Sequence, residues 1–279
     1  MMSSQPARLG TTSSPLLPTL TEEGASIARE QTPTQLDLKD VLPPYRLQRT
    51  YYGRSEEEDA DSQNPNGMGP HGIVALTVGQ ILTPQECQSL IDMSESIGYD
   101  VAKINLGNAD ASNETAMHFP GYRDGYRCIV DDFAFAAQLW ERVRPFVPAK
   151  FQNRPVVGLN ERMRFLKYGP GDQFQAHMDG EFRRTDGSGE VTKVTIQFYL
   201  NEDCVGGATT FLEESFNFKD LIREKGSPVG EIKRVAVEPK TGQILIFQHN
   251  LLHEGSKVLE GAKYVIRSDI LYGRPSIDG

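Results

Sequence analysis

Residues 191–212 read VTKVTIQFYLNEDCVGGATTFL. A β-branched and aromatic run from Val191 to Leu200 breaks on Asn201-Glu202-Asp203, and a second run begins after Gly206-Gly207. β-branched and aromatic side chains suit a pleated, packed surface, whereas Gly, Asn and Asp interrupt one. The pattern predicts strand, turn, strand. The same cadence extends in both directions, through ERMRFLKYG (161–169) and FQAHMDG (174–180) on one side. On the other it runs through RVAVEP (234–239), GQILIF (242–247) and KYVIRSDILYG (263–273). Short strands at this density, separated by turn residues, argue for a sandwich or barrel. No internal repeat is visible.

Upstream the character changes. GIVALTV (72–78) reads as a short strand. TPQECQSLIDMSESIG (83–98) reads as a helix with its signals in place. Thr83 caps it, Pro84 suits the first turn, and Glu86 completes a Thr-x-x-Glu capping box. Gly98 ends it. Cys87, Leu90, Ile91 and Ile97 share a face. A second helix is expected from about Asp132 to Arg144, with Phe133, Ala136, Ala137, Trp140 and Val143 at helical spacing and Pro145 closing it. Residues 1–70, with TTSSPLLPTL, the acidic run SEEEDAD and the turn-rich QNPNGMGPHG, show no sustained period. They are expected as a disordered or extended tail, with the apolar patch from Leu42 to Tyr52 docking on the domain. Residues 71–276 then form one catalytic domain, a helical support region over 71–158 and a β-rich core over 159–276.

The chain has 279 residues, 38% hydrophobic, enough for a sizeable core, with net charge −9. That balance disfavours a nucleic-acid surface, since each phosphate contact needs Lys or Arg. Three cysteines, Cys87, Cys128 and Cys204, form no metal or redox pair and read as reduced thiols. No apolar run approaches the roughly 18–20 residues of a membrane span, and the N-terminus lacks a secretory signal. The expected setting is cytoplasmic or nuclear, an organelle transit peptide being the alternative.

Five histidines carry the chemistry. His71 and His118 sit in loop-like sequence without an acidic neighbour. His177 and Asp179 are different: on a strand, residues i and i+2 share a face, so an imidazole and a carboxylate converge on one point. A third ligand must come from elsewhere, and ILIFQHNLLHEGSKV (244–258) offers His249 and His253. Two histidines and one carboxylate on one face of an octahedron suit non-haem Fe(II) with open positions. Lys263 opens an apolar strand ten residues after His253. A lysine there needs water or an anion, and a dicarboxylate on the iron would supply one.

The ordered set Tyr-Gly-x-Gly, His-x-Asp, Gly-Gly-x-Thr, distal His and Lys at plus ten resembles the iron(II)- and 2-oxoglutarate-dependent oxygenases, prolyl 4-hydroxylase-like branch. The resemblance covers residues 73–273. It implies a mainly β, α+β fold: a double-stranded β-helix, or jelly roll, with helices packed on one sheet. It implies His177, Asp179 and His253 as iron ligands, with His249 competing for the third place. Lys263 would pair with the far carboxylate of 2-oxoglutarate, with Arg267 as second choice or substrate contact. Tyr168 and Thr209 would help hold that co-substrate. Thr195, Gln197 and Tyr199, alternating on one strand face, would line the same pocket.

The implied reaction converts 2-oxoglutarate and O2 to succinate and carbon dioxide while hydroxylating an unactivated C–H bond, with ascorbate as supporting reductant. Asp179 favours hydroxylation, since halogenating relatives lack that carboxylate. The chain departs from the prolyl 4-hydroxylase pattern in having no tryptophan after Lys263. Residues 213–234 and the Gly-rich stretch 180–190 are candidate substrate loop and lid, the latter otherwise a plain hairpin turn. Arg127, Arg164, Arg183 and Arg184 read first as solvated or salt-bridged surface arginines, with contact to a polar substrate as the alternative. A peptidyl-proline substrate is expected first, a free amino acid or small metabolite second. A catalytically silent jelly-roll module and a zinc hydrolase are the competing classes.

Overall fold

The β-rich cadence of residues 161–273 folds as two main antiparallel sheets with a two-stranded ribbon beside them. The computed structural model describes residues 17–38, 41, 73–105, 116–213 and 233–275. In chain order the first elements are α1 (Glu22–Arg29), β1 (Thr34–Gln35), β2 (Ala75–Val78), α2 (Pro84–Ile97), β3 (Asp100–Val101), β4 (Ile104–Asn105), β5 (Ala116–Met117), β6 (Tyr126–Asp131) and α3 (Phe133–Val143). There follow β7 (Lys150–Phe151), β8 (Arg154–Leu159), β9 (Arg162–Tyr168), β10 (Phe174–His177), β11 (Val191–Tyr199), β12 (Val205–Gly206), β13 (Thr209–Leu212), β14 (Arg234–Val237), β15 (Ile244–Gln248), β16 (His253–Gly255), β17 (Val258–Glu260) and β18 (Lys263–Tyr272).

The larger sheet runs β1-β2-β15-β11-β18-β9-β6-β3, with β8 also on β18; the smaller runs β10-β16-β13-β14. From β9 onward the chain alternates: β9, β11, β15 and β18 lie in the larger sheet, β10, β13, β14 and β16 in the smaller. That alternation is the winding of a double-stranded β-helix.

The central strands β11, β15 and β18 of the larger sheet are buried on both faces, which explains their near-continuous apolar runs. Val194, Ile196, Phe198, Ile244, Ile246 and Ile266 pack toward the helices with Leu90, Phe135, Leu139 and Val143. Their neighbours in sequence, Tyr199, Leu245, Phe247 and Val265, pack toward the smaller sheet with Phe211 and Val258.

The helices rest on their caps. Thr83 and Glu86 form the expected capping box on α2, and Gly98 ends it at φ 93°. α3 starts from an Asp132 cap and buries Phe135, Ala136, Leu139, Arg142 and Val143. Phe133, expected on the apolar face, is 71% exposed. The reason is Arg142, which periodicity reads as a surface residue. Its guanidinium bonds Glu86 through both Nη atoms at 2.8 Å and also donates to the carbonyls of Thr21 and Ile81. Residues 17–38, inside the stretch expected as tail, form α1 and β1. Thr21 caps α1 and donates its hydroxyl to Glu86, and β1 pairs with β2. An eight-residue helix is too short for its period to register in sequence. Leu42–Tyr52, His71 and residues 214–232 lie outside the described residues.

Candidate active site

β10 and β16 are neighbours in the smaller sheet, and their register sets His177 directly opposite His253. Asp179 lies two residues past β10's last ligand, its amide held by the carbonyl of His249 at 3.0 Å. Asp179 Oδ1 is 3.9 Å from His177 Nε2, and Oδ2 is 3.8 Å from His253 Nε2. One donor atom from each residue lies within 4.8 Å of the others.

The tautomers follow from the partners. A carbonyl only accepts, so His177 Nδ1–H donates to Gln175 O at 2.7 Å and His253 Nδ1–H to Leu251 O at 2.9 Å. Both Nε2 lone pairs are thereby left for a cation. Burial, then the neighbouring His253, pushes His177 down to about 3, and burial likewise lowers His253. Burial works to raise Asp179, but Arg267 and the surrounding histidines outweigh it and hold the carboxyl far below its usual range. At neutral pH the trio is two neutral imidazoles and a carboxylate, the donor set that fits Fe(II).

The other end of the pocket is built on β18 and β9, where Lys263 lies opposite Tyr168. Lys263 is only 4% exposed. Its ammonium donates to Gly207 O at 2.5 Å and sits 5.7 Å from the Tyr168 ring and 5.5 Å from the Tyr199 ring. No carboxylate among the described residues pairs with it, and burial pushes it down to about 8. An ammonium buried without an anion is costly, so an anionic ligand fits there. Gly206 and Gly207, at φ 77° and 74°, adopt the left-handed conformation at this turn. A Cβ on Gly206 would meet Lys257 O at 2.5 Å. Thr209 lines the pocket with Tyr168 and Gln197. Its hydroxyl accepts from Tyr199 OH at 2.8 Å and donates to Gln197 Oε1 at 3.0 Å.

Two expected co-substrate contacts sit differently. Tyr199 is fully buried behind Thr209 and does not reach the pocket wall. Arg267 lines the pocket, but its Nη2 is shared between Asp179 and Asp269, 3.0 Å from each. His249 lies apart from the trio, 3.4 Å from Asp269. Thr195 donates its hydroxyl to Asp179.

Among the arginines singled out in sequence, Arg164 pairs with Asp269 and Arg184 with Glu161 and Glu190. Arg183 pairs with Glu181. These pairs, with Arg274 reaching the carbonyls of Gly187 and Ser188, pin residues 180–190 as a hairpin. Sequence reasoning missed Phe174, stacked on His177 at 3.6 Å and 20°, and Arg123, 4.5 Å above Phe174. Phe174 and His177 are an odd number of residues apart, and a register shift between them defeats the period-2 reading. Arg123 lies in a turn with no period at all.

The family model of the 2OG-Fe(II) oxygenase superfamily matches residues 163–268, a span that takes in the trio, Tyr168, Thr209, Lys263 and Arg267. Among solved structures, a prolyl-4-hydroxylase from Pseudomonas putida is 15% identical, covering 77% of this chain and 96% of its own at TM-score 0.44. The viral collagen prolyl hydroxylase of Paramecium Bursaria Chlorella virus-1, in its 2OG complex, is 18% identical over 71% of this chain and 95% of its own, TM-score 0.45. The carbocyclase SnoK of nogalamycin biosynthesis is 11% identical over 82% and 90%, TM-score 0.42. No curated protein matches the chain.

Proposed function

We propose that this chain, whose residues 163–268 match the 2OG-Fe(II) oxygenase family model, is such an oxygenase, holding iron through His177, Asp179 and His253 and hydroxylating an unactivated C–H bond. One observation carries the assignment of roles: two imidazole Nε2 atoms and a carboxylate converge in a pocket that also holds a buried Lys263 with no carboxylate partner among the described residues. Fe(II), when bound with 2-oxoglutarate and O2, supplies oxidative decarboxylation to succinate and carbon dioxide and the transfer of one oxygen atom to the substrate.

The chain's own residues do the rest. Lys263 neutralises the far carboxylate of 2-oxoglutarate, with Thr209 and Tyr168 beside it. Tyr199 and Gln197 fix the Thr209 hydroxyl through a chain of two hydrogen bonds. Arg267 and Thr195 hold the Asp179 carboxylate in orientation. Phe174 covers the His177 ring and keeps water from one side of it.

Peptidyl-proline is the first substrate class to test and a free amino acid or small metabolite the second. Free thiols at Cys87, Cys128 and Cys204 fit a reducing compartment such as cytoplasm or nucleus. No helix among the described residues is long and apolar enough to cross a membrane. Residues 71–276 serve as one catalytic domain.

The test is succinate formation by the purified protein with Fe(II), ascorbate and 2-oxoglutarate in air. Slow turnover without substrate is expected, rising with a hydroxylatable one. No succinate across a peptide and amino-acid panel, together with tight zinc binding, would replace this reading with a hydrolase.

A further inference from the structure

The pocket has a second anion-seeking end. Arg123 lines it alongside Phe174, His177 and Asp179. The segment carrying it is fastened to β10: Arg123 bridges Phe174, Gln175 N donates to Tyr122 O at 2.8 Å, and Asp124 N donates to Gln173 O at 2.9 Å. The guanidinium lies 4.5 Å over the Phe174 ring, which itself stacks on His177. Its Nε is buried and makes no hydrogen bond. Its one protein bond among the described residues is from Nη1 to Lys103 O, at 3.3 Å.

Arg127 lies beside Arg123, just outside the residues that line the pocket. It sits on β6 opposite Leu166 of β9, a residue of the pocket wall, and cross-strand partners share a face. Its Nη1 also donates to Lys103 O, at 3.3 Å, and no carboxylate of the described residues pairs with it. Burial and the adjoining guanidiniums, Arg123 first, push it down to about 10.

The neighbouring cations are all accounted for. Arg164 has Asp269, Arg267 has Asp179 and Asp269, and Lys263 awaits the co-substrate's far carboxylate. Of the two charges on a 2-oxoglutarate dianion, one would answer Lys263 and the other the ferrous ion, leaving none over. Arg123 and Arg127 therefore have no carboxylate partner among the described residues, in a chain whose net charge is −9. Guanidiniums in such a place, half-desolvated and with idle N–H groups, are built to meet an oxyanion, and their planar forks match a carboxylate.

We infer that the substrate carries a carboxylate close to the C–H bond it offers, and that Arg123 and Arg127 bind it. This rests on the hydroxylase reading and narrows its substrate to acids: a free amino or organic acid, or a peptide whose reacting residue is C-terminal or adjoins an Asp or Glu. A neutral internal segment leaves both arginines without a partner.

Matched acid and amide probes test this. The pairs are L-proline against L-prolinamide, a dipeptide ending in a free carboxylate against its C-terminal amide, and an Asp-containing against an Asn-containing prolyl peptide. A wider panel of amino acids is run in the same two forms. With Fe(II) and 2-oxoglutarate under argon, binding is read as thermal stabilisation; in air it is read as stimulated succinate. The acid of at least one pair is expected to bind about tenfold or more tightly than its amide, the scale of a hydrogen bond to a charged group. Which pair responds tells a free acid from a peptide. Arg123→Gln and Arg127→Gln each bring the ratio toward one, and Arg123→Lys, which keeps the charge and loses the fork, falls between. Circular dichroism checks that each variant is folded, and the wild-type comparison needs no variant. Acids and amides that behave alike throughout, or an Arg123→Gln protein that retains the wild-type preference, overturn the inference. Loss of succinate formation even without substrate would instead strike the hydroxylase reading.

Discussion

At the scale of single residues, Lys263 is the most informative side chain because its burial is unfavourable until an anion arrives. Its ammonium is pushed down to about 8 from an ordinary 10.5. Between those values the unfolded chain binds more protons than the folded one, so stability contributed at this site rises with pH across that window. Below about 8 the cost of the buried charge is fully present. Lys263→Met removes it. The ligand-free variant is expected to be no less stable than wild type at pH 7 in urea unfolding, with the difference shrinking toward pH 10. Its affinity for 2-oxoglutarate should fall by about 10–100-fold, the loss of a charge-assisted pair. A destabilised variant with unaltered co-substrate affinity would mean the lysine is structural. Asp269 poses the opposite case. It is 3% exposed and answers both Arg164 and Arg267. Asp269→Asn leaves those guanidiniums short of charge and is expected to cost roughly 3–5 kcal/mol in denaturant unfolding, as for other broken buried pairs. A cost below about 1 kcal/mol would show that water, not Asp269, satisfies them.

At the scale of elements, three helices meet at one ion pair. Glu86 of α2 accepts from Arg142 of α3 and from the amide and hydroxyl of Thr21, the cap of α1. Burial acts to raise Glu86, but Arg142 and the hydrogen bonds from Thr83 and Thr21 prevail and hold it near 2. A carboxyl depressed in this way stabilises the fold fully above about 4.5 and loses that contribution as the pH falls toward 2. Arg142→Met should therefore do more than weaken the core. Hydrogen exchange in residues 17–38 is expected to speed up first, because Arg142 also donates to Thr21 O at 2.7 Å. Uniform acceleration across α1, α2 and the sheets would show that the helix docks by other means. The same junction marks the limit of sequence reading. The capping box of α2 was legible because its parts are three residues apart, and Pro84–Ile97 matches that reading. The buried face of α3 was not, since Arg142 is a core residue only by virtue of a partner 56 positions away. The strands that carry Tyr168, His177 and Lys263 were legible through period 2, whereas Asp179 lies past the end of β10. Arg123 and Phe174 were not, because a bridge outside the regular strands and a bulge bring them in.

At the scale of the molecule, the jelly roll brings two charge-poor ends together. Its smaller sheet supplies His177 and His253, and its larger sheet supplies Lys263, so on the proposed roles ligand binding would tie the sheets to each other. A metal held by the trio would join Asp179 to two strands of one sheet, and 2-oxoglutarate held by Lys263 as well would link both sheets. A ligand bound only by the folded state stabilises it by about 2.7 kcal/mol at a hundred times its Kd. For a chain of this size each kcal/mol raises Tm by about 2–4 °C. Mn(II), which does not turn over, should raise Tm by several degrees, and 2-oxoglutarate should add to that only when metal is present. Chelation with EDTA should return Tm to that of the bare protein, without unfolding it, because the core of Leu90, Phe135, Leu139 and Ile266 on the helix side of the larger sheet shares no residue with the pocket wall. Lys263→Met should keep the metal's increment and lose the co-substrate's, whereas His253→Ala should lose both. An increment from 2-oxoglutarate that survives EDTA, or a metal effect that survives His253→Ala, would place the two ligands somewhere other than this pocket.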